Sequence, residues 1–247
     1  MNSEQPIVLV TGGNKGIGRA TVERLASDGA KVILTSRSLE RASEVAESVS
    51  GGNGFSVIPM QLDQSDPESV SDLMRLIFSK FGKIDGLVLN AGIHTASRIG
   101  MISEDALENL WQTNAAGVLR LIQSGIKLLR KGSNPSIVIM GSVMSSSGVI
   151  GQSAYAMSKA AISGLLVPAS RELASLGIRV NMIAPGYVDT EMVNDLGANQ
   201  REEVLRRTPL GRFAFPGEIA ALVSFLLSSE SSFITGQEIR IDGGLRD

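Results

Sequence analysis

The chain has 247 residues, of which 43% are apolar, so it can bury a core of the size found in single α/β domains. Its 23 basic and 25 acidic side chains are mixed along the chain and give a formal net charge of −2, which argues against nucleic acid or an anionic membrane surface as partner. The absence of cysteine excludes disulfides, thiolate chemistry and cysteine-ligated zinc, and we predict no metal site. Neither a membrane span nor a secretory leader is evident, so we expect a cytoplasmic protein.

Short runs rich in Val, Ile and Leu alternate with longer segments of helical period, which is typical of a parallel sheet covered by helices on both faces. The predicted strands are 7–11, 31–35, 55–60, 84–90, 136–140, 178–183 and 238–241. The predicted helices are 16–28, 39–49, 66–81, 104–129, 154–176 and 216–227. We therefore predict one domain spanning 1–247, with the irregular segment around 186–208 as a mobile loop over a site.

A glycine-rich turn connects the first predicted strand to the first predicted helix. It has the sequence TGGNKGIG, in which Gly12, Gly16 and Gly18 allow a sharp turn and a close approach of backbone to a ligand. The helix that follows offers free N–H groups and a partial positive charge to a phosphate. The turn predicts a dinucleotide site, and the alternative is a turn without a ligand.

Two side chains on the predicted helix 154–176 have a spacing suited to acid catalysis. Tyr155 and Lys159 are four residues apart and so lie on one face, where the ammonium is expected to draw the pKa of the phenol down toward neutrality. Ser142 lies at the end of a predicted strand and can stabilise charge on a substrate oxygen. The alternative for each residue is a solvated helix face or an ordinary turn.

The motifs together resemble those of the short-chain dehydrogenase/reductase family, most closely the β-ketoacyl-acyl carrier protein reductase branch. The resemblance spans nearly the whole chain and depends on TGGNKGIG from Thr11, NAG from Asn90, Ser142, YAMSK from Tyr155 and IRVNMIAPGYVDTEM from Ile178. It implies a Rossmann-type, doubly wound parallel sheet and hydride transfer between a nicotinamide and a carbonyl group. It also implies a homotetramer.

The resemblance assigns further residues. Asn114 matches the fourth catalytic residue, which holds a water that links Lys159 to solvent, and Lys159 also binds the nicotinamide ribose. The implied cofactor site comprises Gly12, Asn14, Lys15, Gly16, Ile17, Gly18, Arg37, Leu62, Asp63, Asn90, Gly92, Tyr155, Lys159, Pro185, Gly186, Val188 and Thr190. The substrate pocket is expected to include Met144, Val149, Ile150, Tyr187 and Met192.

Some positions depart from the family pattern. Pro168 lies inside the predicted helix 154–176 and should bend it. Leu176 and Ser133 stand where carrier-protein reductases have basic residues, which argues against a carrier protein as partner, although the nearby basic residues Arg130, Lys131 and Arg171 could substitute. His94 follows the NAG turn and has either an incidental or a substrate-facing position.

Two basic residues favour NADPH over NADH as the cofactor. Lys15 lies in the glycine turn and Arg37 follows the second strand, and these places are adjacent in a doubly wound fold, so both can reach a 2′-phosphate. We therefore predict an NADPH-dependent reductase of a ketone or 3-oxoacyl thioester. The alternatives are an NAD-dependent dehydrogenase of a secondary alcohol, sterol or sugar, and a cofactor-binding scaffold without activity.

Overall fold

Parallel strands alternate with helices along the whole described chain. The structure is a computed structural model and describes residues 5–51, 54–194 and 197–245. The strands are β1 (Ile7–Val10), β2 (Lys31–Ser36), β3 (Ser56–Gln61), β4 (Gly86–Leu89), β5 (Ser136–Met140), β6 (Arg179–Pro185) and β7 (Glu238–Ile241). The α-helices are α1 (Gly16–Ser27), α2 (Leu39–Ser50), α3 (Pro67–Phe81), α4 (Glu104–Trp111), α5 (Gly117–Leu129), α6 (Ser153–Ala174), α7 (Glu191–Asn194), α8 (Ala198–Arg207) and α9 (Pro216–Leu227).

Each strand contributes side chains to both faces of the sheet because successive residues point in opposite directions. In β1, Ile7 and Leu9 pack into a core with α3, α5 and α6, whereas Val8 and Val10 pack into a second core with α1, α2 and α9. Burial on both faces explains the nearly continuous apolar strands. The predicted α/β fold with helices on both faces is confirmed.

The strands form one seven-stranded parallel sheet within the described ranges, in the order β3-β2-β1-β4-β5-β6-β7. The chain builds the sheet outward in one direction from β1 and then returns to build the other half from β4. The connections after β1 and β4 therefore diverge and leave a crevice beyond the carboxyl ends of these strands. This crevice is where the predicted site residues meet.

The predicted helix 104–129 is not one continuous α-helix. It consists of α4 and α5 joined by a π-helical segment, Gln112–Ala116, in which one extra residue is accommodated in the turn. Such segments frequently occur at functional sites.

The prediction of an irregular loop around 186–208 was wrong in part, since α7 and α8 lie within it. Residues 195 and 196 of this segment lie outside the described ranges.

The helix α6 continues through Pro168. The bend expected at this proline stays a prediction. None of the helices in the described part of the chain combines the length and the apolar character needed to cross a bilayer.

Candidate active site

The turn between β1 and α1 presents backbone groups to the crevice. Gly12 and Gly16 have φ angles of 63° and 53°, which residues with side chains rarely adopt. The N–H of Gly13 donates to the carbonyl of Thr35 at 3.0 Å and so fixes the turn to β2. α1 begins with neither a side-chain cap nor an acidic residue in its first turn, so its first N–H groups suit an anion.

Asn90 supports this turn from the end of β4. Its side-chain amide donates to the carbonyl oxygens of Thr11 and Gly12 at 3.0 and 3.1 Å. The Thr11 hydroxyl in turn accepts the backbone N–H groups of Asn90 and Ala91, each at 3.0 Å. Asn90 therefore stabilises the glycine turn and is also part of the crevice wall. The other two predicted turn residues, Asn14 and Ile17, are both half-buried.

The segment that follows β6 lies over the glycine turn. β6 ends at Pro185, and backbone interactions hold Gly186 and Val188 against the C-terminal part of the chain. A Cβ atom added to Gly16 would lie 3.3 Å from the methyl carbon of Thr190, so glycine permits the close approach of the two segments. The structure thus brings four predicted residues to one wall of the crevice, namely Pro185, Gly186, Val188 and Thr190.

Two more of the predicted cofactor residues, Leu62 and Asp63, follow β3. The N–H of Leu62 donates to the carbonyl of Ser36 at 2.9 Å, and the Leu62 side chain is buried. The carboxylate of Asp63 accepts the backbone N–H and the hydroxyl of Ser65 at 3.0 and 2.6 Å, which fixes its orientation. Both residues lie at the same edge of the sheet as the glycine turn.

The two basic residues predicted to select the cofactor have different surroundings. Arg37 directly follows β2 and is exposed. Lys15 is also exposed, and its Nζ lies 2.8 Å from a carboxylate oxygen of Glu191 in α7. The hydrogen bond and charge of Lys15 lower the pKa of Glu191, with a smaller contribution from the charge of Arg41. Sequence reasoning missed Glu191, because only the fold brings it to the glycine turn.

Ser142, Tyr155 and Lys159 converge beside the crevice. Ser142 lies just beyond β5, where its Oγ accepts the backbone N–H of Met144 at 3.1 Å and also hydrogen-bonds the Tyr155 phenol. Tyr155 and Lys159 lie on the buried face of α6, with Nζ of Lys159 5.9 Å from the centre of the Tyr155 ring. The same Nζ donates to the carbonyl of Met140 at 2.9 Å.

The expected effect of the lysine on the phenol is not what the structure has. Burial raises the pKa of Tyr155 above its usual value of 10.0, and the hydrogen bond from Ser142 only partly opposes this. Burial also lowers the pKa of Lys159 to about 8. The expected net lowering of the Tyr155 pKa is therefore wrong for this geometry, because desolvation of the phenol outweighs the interactions that favour its ionised form.

Asn114 lies in the π-helical segment and is almost completely buried. Its amide accepts the N–H of Ile93 and donates to the Ile93 carbonyl, both at 2.9 Å. It also donates to the Ser158 hydroxyl at 3.0 Å, which donates to the carbonyl of Tyr155 at 2.7 Å. A Cβ atom on Gly92 would lie 3.3 Å from the Asn114 amide oxygen and 3.6 Å from Lys159 Nζ, so this glycine leaves room between them.

Several known proteins resemble this chain over nearly its whole length. A family model described as enoyl-(acyl carrier protein) reductase matches residues 12–246. The 3-oxoacyl-(acyl-carrier-protein) reductase FabG of Escherichia coli is 38% identical over 245 residues, which is 99% of each chain. The enzyme of the same name from Staphylococcus aureus is 35% identical over 238 residues, or 96% of each chain. The solved structure of a Serratia marcescens short-chain dehydrogenase/reductase mutant superposes with a TM-score of 0.90 at 34% identity, over 97% of each chain.

The chain belongs to the short-chain dehydrogenase/reductase family. The resemblance inferred from the sequence motifs is thereby confirmed. Members of the family are oxidoreductases that use a nicotinamide cofactor, and the crevice beside β1 and β4 is the place in this chain that fits one.

One residue of this short-chain dehydrogenase/reductase site was missed from the sequence. Gln64 is buried, and its amide nitrogen donates to the carbonyls of Ala91 and Thr113 at 2.9 and 2.7 Å. It therefore ties the NAG turn to the π-helical segment that carries Asn114. Its position next to Asp63 was the only available signal.

Three of the residues predicted to line the substrate pocket come together in the structure. Met144, Val149 and Tyr187 line a mostly apolar pocket together with Ser147, Val204, Arg207 and Leu245. Ile150 was also expected to line it, but its side chain is 82% exposed. The side chain of Met192 lies outside the described part of the structure.

The basic residues considered for carrier-protein contact lie away from this pocket. Arg171 is 16 residues beyond Tyr155, or roughly 24 Å along α6 at 1.5 Å per residue. Arg130 and Lys131 follow α5, whose last turn meets the start of the β4 region through a bond from Ile84 to Leu128. The ammonium of Lys131 packs over the Phe78 ring at 4.7 Å. Within one subunit these cations therefore do not replace basic residues at the entrance.

Proposed function

We propose that this protein is an NADPH-dependent reductase of a ketone carbonyl, with a 3-oxoacyl thioester as the favoured substrate class. The observation that carries the proposal is the convergence of Ser142, Tyr155 and Lys159 beside the crevice. Full-length similarity to enzymes named 3-oxoacyl-(acyl-carrier-protein) reductase supports the substrate class.

The crevice fits a nicotinamide dinucleotide by the chemistry of its walls. The glycine turn and the uncapped start of α1 suit the pyrophosphate, while Lys159 suits the nicotinamide ribose. When bound, the reduced cofactor supplies the hydride that reduces the carbonyl carbon. The residues proposed to hold it are those predicted from the sequence, together with Gln64 as a support.

Tyr155 is proposed to provide the proton that completes the reduction. As the carbonyl carbon gains the hydride, negative charge develops on its oxygen, and the phenol O–H transfers its proton to that oxygen. The Ser142 hydroxyl, already hydrogen-bonded to this phenol, donates to the same oxygen and stabilises the charge. The raised pKa of Tyr155 keeps the phenol protonated at neutral pH, which suits the reductive direction.

Lys159 and Asn114 are proposed to restore the proton. At pH 7 Lys159, with a pKa of about 8, is mainly charged and can stabilise the phenolate that remains after transfer. The space beside Gly92, between the Asn114 amide oxygen and Lys159 Nζ, has the polar partners that a bound water needs. A proton can then reach Tyr155 from solvent by way of Lys159.

NADPH is proposed over NADH because of Lys15 and Arg37. Both are exposed cations at the places where a doubly wound fold receives the adenosine ribose, and the residue directly after β2 is Arg37 and not an acidic residue. In this proposal Lys15 exchanges its partner Glu191 for the 2′-phosphate. Arginine contributes the more specific contact because its planar fork matches a phosphate.

We further propose that residues 1–247 act as one cytoplasmic catalytic domain, with the segment around 186–208 as its substrate loop, and that the chain is a homotetramer. The exposed apolar side chains of α4, α5 and α6 support assembly through this helical layer. The substrate is a small-molecule ketone or thioester. A carrier protein is the alternative form of the thioester: the relatives named 3-oxoacyl-(acyl-carrier-protein) reductase support it, whereas Leu176 and Ser133, which stand where carrier-protein reductases have basic residues, argue against it.

The test is steady-state oxidation of NADPH with acetoacetyl-coenzyme A, the same acyl group on acyl carrier protein, and cyclohexanone. We expect turnover of the coenzyme A thioester at least tenfold more efficient than that of cyclohexanone. A preference for the carrier-bound form would contradict the proposed free thioester. Oxidation of secondary alcohols with NAD⁺, without ketone reduction by NADPH, would overturn the proposed function.

A further inference from the structure

His94 contacts the catalytic tyrosine in a way that the mechanism above does not use. The centres of the His94 and Tyr155 rings are 4.8 Å apart, and the rings are inclined at 75°, an edge-to-face arrangement. On its other side, Nε2 of His94 lies 2.8 Å from the amide oxygen of Gln152, just before α6 begins. The histidine is thus bound at two points, and it is half-buried.

A backbone hydrogen bond joins the same two segments of chain. The N–H of Ser97 donates to the carbonyl of Gly151 at 2.8 Å, three residues beyond His94 and one before Gln152. The loop after the NAG turn and the loop before α6 are therefore fastened together twice, by one side-chain bond and one backbone bond.

Apolar side chains surround the ring of Tyr155, and Nζ of Lys159 lies 5.9 Å from its centre. The ring packs in a small cluster whose other buried members are Leu110 and Ala154, with Ile93 and Met144 at its edge. These apolar contacts resist displacement of the ring but have no directional preference. The edge-to-face contact with His94 and the hydrogen bond to Ser142 are directional, and they act on the ring and on the hydroxyl respectively.

We propose that His94 is a positioning residue for Tyr155, held by Gln152, which aligns the phenol for proton transfer. The inference rests on the proposed role of Tyr155 as proton donor. A misplaced phenol lengthens the path of the proton, so the loss falls on the chemical step and leaves cofactor binding unchanged. His94 itself exchanges no proton with the substrate.

Two substitutions of His94 separate its contacts. His94→Phe keeps an aromatic ring against Tyr155 but cannot bond Gln152, whereas His94→Ala loses both contacts. From the usual strengths of one aromatic pair and one hydrogen bond, we expect kcat to fall roughly threefold in the Phe variant and roughly tenfold to thirtyfold in the Ala variant. The dissociation constant of NADPH should change by less than about twofold in either.

Gln152→Leu provides an independent test of the hydrogen bond between His94 and Gln152. It should lower kcat about as much as His94→Phe. The double variant with both substitutions should have about the same kcat as either single variant, because both substitutions remove the same hydrogen bond. Gln237→Leu is the matched control, since it makes the same change just before β7, at an exposed side-chain amide that donates to the carbonyl of Thr235. This control should retain wild-type kcat.

The solvent deuterium isotope effect on kcat distinguishes positioning from a general structural role. If His94 aligns the phenol, proton transfer becomes more rate-limiting in His94→Ala and the isotope effect increases. A change in KM alone, with kcat within twofold of wild type, would identify His94 as a substrate contact and overturn the proposal. A parallel loss of NADPH affinity and thermal stability would also overturn it.

A measurement without turnover keeps this inference separable from the proposed function. In a Tyr187→Phe background, the ionisation of Tyr155 can be followed by ultraviolet difference absorbance. Within the described ranges, the ionisable side chains that lie against its ring are His94 and Lys159. His94→Ala should lower the pKa of Tyr155, because water then reaches the ring whose burial raises it, while His94→Phe should not. An unchanged titration in His94→Ala would refute the contact, even if wild type reduced no ketone.

Discussion

Burial affects the two central ionisable groups of the site in a complementary way. It raises the pKa of the Tyr155 phenol and lowers that of the Lys159 ammonium to about 8, because it disfavours the charged form of each. At neutral pH the phenol is fully protonated, and the lysine is still mainly charged. Both groups therefore begin a reductive cycle with their protons in place.

Tyr155→Phe should abolish turnover while leaving the cofactor site intact. The substitution removes the transferable proton and little of the ring surface, and general acid catalysis contributes about 10² to 10⁴ in rate. Steady-state kcat and the dissociation constant of NADPH, measured by fluorescence titration, test this expectation. Retention of more than a tenth of the wild-type kcat would exclude Tyr155 as the acid.

The rate of ketone reduction should decline as the pH rises through about 8. Lys159 has a pKa of about 8, so most of the lysine is charged below that pH and most of it is neutral above it. The loss of the charge removes the stabilisation of the phenolate. The measurement is a profile of kcat from pH 6 to 10. Lys159→Arg, which keeps its charge throughout this range, should remove the decline in whatever activity remains. A decline that persists unchanged in this variant would assign it to another group.

Arg37→Asp should shift the cofactor preference toward NADH. A hydrogen bond to a charged group contributes about 1.5 to 3 kcal/mol, so we expect the ratio of kcat/KM for NADPH over NADH to fall roughly tenfold to hundredfold. Arg130→Asp makes the same change in charge after α5 and should leave the ratio unaltered. Equal use of both cofactors by wild type would contradict the assignment of Arg37.

Glu191→Gln should have a smaller effect in the opposite direction. It removes the carboxylate that pairs with Lys15, and because the pair is exposed we expect NADPH affinity to rise by up to about fivefold, with NADH affinity little changed. Fluorescence titration with both cofactors measures the difference. Weaker NADPH binding in this variant would contradict the proposed exchange of partners.

At the scale of secondary structure, hydrophobic period predicted most of the elements. The seven strands were predicted to within about two residues at their ends. Five of them (β1, β2, β4, β5 and β6) are short apolar runs buried on both faces, whereas the outer strands β3 and β7 are partly exposed, and β7 alternates polar with apolar residues. The π-helical segment Gln112–Ala116 was not predictable in this way, since the helical pattern on each side continues across it. α7 was missed because it has only four residues, and α8 was missed because its sequence is polar, with Val204 as its buried residue.

The candidate site was predictable where its residues form local motifs. Tyr155 and Lys159 are four residues apart in one helix, and the glycine turn is contiguous. The contacts of Gln64, Glu191 and His94 could not be predicted, because each joins segments that are far apart in the sequence. The pKa of Tyr155 was mispredicted for a related reason, since burial depends on the complete fold.

Pro168→Ala should stabilise α6. Pro168 lies inside the helix on its exposed side, where it provides no N–H to the carbonyl of Gly164. We expect the free energy of unfolding to increase by about 1 to 3 kcal/mol, less the part offset by greater flexibility of the unfolded chain. Pro216→Ala, at the first residue of α9, is the control and should give no gain. Urea denaturation measures both, and a loss of stability in Pro168→Ala would contradict the argument.

Across the whole molecule, the candidate active site and the buried charged residues that hold the framework together lie at opposite edges of the sheet. The crevice lies beyond the carboxyl ends of the strands. At the other edge, the buried Asp85 carboxylate accepts the N–H groups of Ile7 and Ser133, and the buried Arg179 donates to the carbonyls of Ser228 and Ser231. These charged groups fasten loops and the end of α9 to the sheet, so the site can vary without loss of the framework.

The proposed tetramer should depend on the outer face of α5 and α6. Leu119 on α5 and Met157 and Val167 on α6 are exposed apolar side chains, and closed symmetric assemblies of helical layers bury such faces. Leu119→Arg should therefore dissociate the assembly to dimers or monomers, because it places a charge in the contact. Leu76→Arg on α3 is the matched control, since Leu76 and Leu119 are both 41% exposed. Light scattering at micromolar protein should give four times the chain mass of 26.0 kDa for wild type and control. A wild-type mass of one chain, or an intact tetramer in Leu119→Arg, would contradict this interface.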